Sequence, residues 1–162
     1  MSTTSEFEAH NTTYAEGFAH GGLPAAPSRQ VAVVTCMDAR IDIYRALGLE
    51  PGQAHVIRNT GGVITDDVIR SLAISQQKLG TREIVVIHHT KCGMEGMDEA
   101  GFAQELEDRT GIQPPWPRLA FADAFEDTRE SVATLAASAF IEYDGAITGY
   151  VYDVDTGMLE KV

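Results

Sequence analysis

The chain has 162 residues, 44% of them hydrophobic, which suits one domain with ample material for a core. A formal net charge of −12 and a pI near 4.7 argue against a nucleic-acid partner, whose phosphates an acidic surface repels at long range. No apolar stretch approaches the roughly 20 residues needed to cross a bilayer, so no membrane partner is expected. The polar, acidic segment 1–20 lacks the apolar region of a secretory leader, so a cytoplasmic, reducing setting is expected.

Residues 1–30 read as an amino-terminal arm and residues 31–162 as the domain proper. Phe7, Tyr14 and Phe18 recur at near-helical spacing, predicting a helix within 4–18 with an aromatic stripe. Read from the residues alone, that stripe packs equally well on its own domain or on a second copy. Gly21, Gly22, Pro24 and Pro27 then exclude regular structure. Residues 31–35 form a continuous β-branched run, as expected of a strand buried on both faces of a parallel sheet. A helix over 41–47 stopped by Gly48, a strand over 54–57 and the glycine loop Arg58-Asn59-Thr60-Gly61-Gly62 follow. Thr65 or Asp66 caps a long helix to Leu79, with Gly80 as its stop.

A third strand spans 84–88, and a charged helix spans 99–110. Pro114, Pro115 and Pro117 keep their segment irregular. A helix over 124–139, a strand over 146–152 and a turn at 153–157 complete the chain. Strands alternating with helices predict a single α/β domain with a central, mainly parallel sheet flanked by helices. There are no internal repeats, and neither a dinucleotide fingerprint nor a P-loop is present.

Each of the two cysteines lies in a short motif that follows a predicted strand: Cys36 opens Cys36-Met37-Asp38-Ala39-Arg40, and Cys92 closes His89-Thr90-Lys91-Cys92. Strand ends on an open α/β sheet are where ligands collect, so the two motifs can face one another. Two thiolates and one imidazole leave tetrahedral zinc an open position, the mark of a catalytic site. Lone cysteines are also commonly just buried apolar residues. A thiol-redox pair is disfavoured because neither cysteine lies in a C-x-x-C motif. Side-chain alternation along the strand turns His88 away from His89, giving His88 a structural role. His10, His20 and His55 read as solvent-facing or structural.

Cys36-x-Asp38-x-Arg40, Arg58-Asn59-x-Gly61-Gly62 and His89-x-x-Cys92-Gly93, in that order, resemble the β-class carbonic anhydrases over most of residues 31–96. The likeness is greatest to the compact prokaryotic branch, which also holds carbonyl sulfide and carbon disulfide hydrolases. The resemblance implies one Zn2+ per chain on Cys36, His89 and Cys92. It implies that Asp38 either accepts a hydrogen bond from metal-bound hydroxide or closes the fourth position, with Arg40 drawing it off the metal. Gly61 and Gly62 are implied to position substrate, and a homodimer or higher homo-oligomer is implied, with the amino-terminal helix crossing to the partner. The activity implied is reversible hydration of carbon dioxide to bicarbonate. Carbonyl sulfide or carbon disulfide hydrolysis is the enzymatic alternative, and a zinc-stabilised binding or sensory module the non-enzymatic one. Thr60 and Lys91 depart from the family pattern, where Ala and Asp are common.

Overall fold

Five strands share one sheet in the order β2-β1-β3-β4-β5, in a computed structural model that describes residues 2–142 and 147–162. They are β1 (Val31–Cys36), β2 (Ala54–Asn59), β3 (Glu83–His89), β4 (Ile147–Tyr152) and β5 (Leu159–Lys161). The first four run parallel and β5 pairs antiparallel to β4. β1 and β3 are central and nearly wholly buried, as their continuous apolar runs require. The expected start of β4 at residue 146 lies outside the described residues. The last residues, read only as a short terminal segment, form the edge strand β5.

The helices are α1 (Thr3–Glu16), α2 (Ile43–Leu47), α3 (Asp66–Leu79), α4 (Glu99–Thr110) and α5 (Ala124–Ala137). Thr65 caps α3 by accepting the Val68 amide, and Gly80 ends it in the left-handed conformation at φ 75°. Val68 and Leu72 of α3 and Leu135 of α5 pack on Ala32, Val34, Ile84 and Val86, one face of the central strands. α2 begins two residues later than the sequence suggests. Asp42 is its cap, and Ile41 instead closes a turn by donating its amide to the Asp38 carbonyl.

α1 has no buried residue and ends at Glu16, short of Phe18; Phe7 is 65% exposed, Tyr14 58% and Phe18 50%. Packing on its own domain, one of the two alternatives for the aromatic stripe, is therefore not what this chain does. Among the described residues no helix is long and apolar enough to cross a membrane.

The connection from β1 leads to β2 on one side, while β3 leads to β4 on the other. β1 and β3 thus flank the point where the strand order reverses, and a crevice opens beyond their carboxyl ends.

Candidate metal centre

Cys36 is the last residue of β1, His89 the last of β3, and Cys92 follows in the turn after β3. All three are buried, and their ligand atoms lie within 4.8 Å of one another. The sequence-predicted trio is therefore brought together by two neighbouring strands whose ends the topology leaves free.

Local backbone chemistry prepares these groups. His89 Nδ1 lies 3.0 Å from the Thr90 carbonyl, which can only accept, so Nδ1 carries the proton and Nε2 keeps its lone pair. His89 is fully buried, and Nε2 has no hydrogen-bond partner among the described residues. An orphaned acceptor beside two cysteine sulfurs suits a metal, and this set of one nitrogen and two sulfurs fits zinc chemistry.

The two thiols are unequal without an ion. Cys36 is lowered to about 4, because the Cys92 thiol donates to it and outweighs burial, with His89 and the Asp38 and Gly61 amides adding to the effect. Cys92 is pushed up by the same contact and by burial. Burial presses His89 down, but its contact with the Cys36 thiolate carries the net shift upward.

Asp38 stands at the rim with its side chain 18% exposed. Arg40 grips it bidentately, Nε to Oδ1 at 2.9 Å and Nη2 to Oδ2 at 2.7 Å, and the Arg40 amide adds a third bond at 2.9 Å. Those bonds hold the Asp38 carboxyl well below the usual carboxylate range. Arg40 is fixed in turn by donating to the Lys91 carbonyl at 2.9 Å. Lys91 adopts a left-handed φ of 54°, and its side chain pairs with Asp155. Asp38 Oδ2 remains 3.8 Å from His89 Nε2.

Gly62 must be glycine on two counts. Its φ is 75°, and a Cβ would stand 2.9 Å from both the Cys36 nitrogen and the Thr35 carbonyl carbon. Its amide donates to the Asn59 carbonyl at 3.3 Å.

Arg58 belongs to a motif the sequence singles out, but its task emerges only in three dimensions. Its guanidinium donates to the carbonyls of Cys36 at 2.9 Å, Asp38 at 2.7 Å and Ile41 at 3.2 Å. One side chain thereby holds the whole segment that carries Cys36 and Asp38. His88 is buried away from the cluster, with Nδ1 3.0 Å from Asp127 and its ring against Phe121. His55 bonds Ser75 and the Ala25 carbonyl, and His10 and His20 are exposed.

An apolar groove of about 860 Å³ runs along Asn59, Thr60, Val63 and Met94, beside the glycine loop. A larger one, about 980 Å³, runs between α3 and residues 137–140; neither groove is lined by Cys36, Asp38, Arg40, His89 or Cys92, so size alone does not mark the chemistry.

Residues 31–133 match the sequence profile of the carbonic anhydrase family. The chain is 49% identical over 162 residues to beta-carbonic anhydrase 1 of Mycobacterium tuberculosis, covering 100% of this chain and 99% of that protein. It is 35% identical to a carbon disulfide hydrolase of Acidianus sp., covering 86% of this chain and 79% of that one. Among solved structures, the carbonic anhydrase from Streptococcus mutans superposes with a TM-score of 0.91 at 46% identity, spanning 100% of this chain and 98% of that chain. A profile match over most of the chain, full-length similarity and a shared fold agree: the chain belongs to the β-carbonic anhydrase family.

Proposed function

We propose that this chain catalyses the reversible hydration of carbon dioxide to bicarbonate, with Zn2+ held by Cys36, His89 and Cys92. Zinc bound there supplies Lewis acidity, which lets water ionise near neutral pH. The chain's own residues do the rest. Thr90 fixes the His89 tautomer, and Arg58 fixes the Cys36 and Asp38 backbone. Asp38 stays ionised and serves as a hydrogen-bond acceptor that orients the reacting water, because Arg40 stabilises its charge. Gly62 spends its amide on the Asn59 carbonyl and lets the loop lie against the Thr35–Cys36 backbone, so the part of Gly61 and Gly62 is to hold this loop at the end of β1.

The observation that carries this reading is the bidentate Asp38–Arg40 pair. A carboxylate so engaged is withdrawn from service as a metal ligand, which favours an enzyme over a permanently closed sensory module. Stopped-flow proton release from carbon dioxide, run beside sulfide release from carbonyl sulfide and carbon disulfide, tests it. Dominant sulfide release would reverse the assignment in favour of the second reading, which the likeness to a carbon disulfide hydrolase supports.

The enzyme is further proposed to act as a homodimer. Support comes from α1 and the turn after it, where Phe7, Tyr14 and Phe18 are all exposed.

A further inference from the structure

Lys91 is one of two non-glycine residues with a left-handed backbone among the described residues, at φ 54°. In that region its Cβ crowds the following carbonyl, so its surroundings must hold it there. Its carbonyl accepts from Arg40 Nη2 at 2.9 Å, the same nitrogen that donates to Asp38 Oδ2. The place of the Lys91 peptide thus sets the point at which the Arg40 grip on Asp38 is anchored.

What holds that peptide comes from the far end of the chain. Thr90 donates its amide to the Tyr152 carbonyl at 3.0 Å, and its hydroxyl oxygen accepts the Val154 amide at 3.1 Å. One residue on, Lys91 Nζ pairs with Asp155 Oδ2. Asp155 is itself fixed by the turn between β4 and β5. Asp153 Oδ1 accepts the amides of Asp155 at 2.7 Å and Thr156 at 3.0 Å, and the Asp153 carbonyl accepts the Gly157 amide at 2.8 Å. Asp155 lies outside the 31–133 segment that matches the family profile, and Lys91 departs from the family pattern, so the tie belongs to this chain's own sequence.

We propose that Asp155 is a positioning residue for the Asp38–Arg40 pair: through Lys91 it holds residues 90–92 in the left-handed turn that offers a carbonyl to Arg40. Its effect on turnover rests on the hydration reading; the anchoring does not. Both partners are exposed, so the tie is screened by salt and shifts the balance between held and released Arg40 by at most about fivefold.

Exchange of the Arg40 Nε proton with water, followed by nitrogen-15 NMR on the zinc-loaded full chain, reads the grip without turnover. Asp155→Asn and Lys91→Met should each speed that exchange about threefold. The double variant should exchange no faster than either single one, because the same tie is lost in all three. Lys91→Arg keeps a cation in place and should stay near the parent. Raising sodium chloride from about 0.05 to about 0.5 M should narrow the gap between parent and variants. In carbon dioxide hydration, Asp155→Asn should lose about threefold in kcat with KM within about twofold, since Asp38 is placed less often. Unchanged exchange in Asp155→Asn, additive effects in the double variant, or a rise in KM at constant kcat would each overturn the proposal. A parent that hydrates no carbon dioxide would overturn the effect on turnover together with the hydration reading, while the exchange rates alone would still decide the anchor.

Discussion

Gly62→Ala and Gly80→Ala form a matched pair that isolates the cost of a close approach. Both glycines sit at φ 75°, so both alanines meet the same left-handed penalty, about 1 kcal/mol. At position 80 the new methyl finds nothing within 4 Å. At position 62 it meets backbone atoms of Thr35 and Cys36 at 2.9 Å, and these belong to a central strand that cannot yield as a side chain would. Overpacking of that kind adds about 1–3 kcal/mol, so Gly62→Ala should lose about 2–4 kcal/mol against about 1 for Gly80→Ala. Because the displaced atom is the Cys36 nitrogen, metal content should fall in the first variant alone. Urea unfolding at one fixed protein and metal concentration, with metal analysis of the purified chains, measures both effects. Equal destabilisation of the two variants, with metal retained in both, would show that the end of β1 has room to move and that the steric argument is wrong.

Metal affinity should rise with pH. Cys36, lowered to about 4, is already a thiolate at neutrality, but Cys92 is pushed up and must give its proton away on loading. Chelator competition between about pH 6 and 8 should therefore show at least one proton released per ion, and a flat profile would contradict it. Asp38 has a folded-state pKa below its unfolded value, so its stabilisation is complete above about pH 4 and is lost as pH falls through the depressed value. Arg40→Ala should move acid unfolding to higher pH, and an unshifted acid titration would count against the pair. Arg58→Met frees three carbonyls of the Cys36–Ile41 segment and should cut kcat about tenfold, which stopped-flow assay checks. Deleting residues 1–20 should weaken self-association in sedimentation experiments, and an unchanged, concentration-independent assembly would refute a bridging role for α1.

Much of this was legible because strong local signals coincided with the fold. The run ending at Cys36 and the run ending at His89 are each too apolar to be anything but central strands, and strand ends are where the parallel topology collects ligands. Thr65 and Gly80 bounded α3 because capping is a local matter. What stayed hidden depends on groups far apart in sequence. Arg58 reaches carbonyls 17 to 22 residues away, and Glu99 reaches amides 20 and 21 residues away. No periodicity announces such bonds, because the carbonyls and amides they satisfy exist at every position. β5 escaped for a related reason: a three-residue edge strand takes its structure from β4, not from its own composition.

The pairing of β1 with β3 sets Thr35 opposite Ile87, and the three candidate ligands lie just beyond that last rung. A slip of one residue between these strands would turn one set of side chains to the opposite face of the sheet and separate the sulfur of Cys36 from the imidazole of His89. A chain misfolded in this way could still bury valines and isoleucines, but it could not gather the donor atoms. Ion binding therefore works as a proofreader of strand alignment, rewarding the one register in which the two halves of the motif coincide.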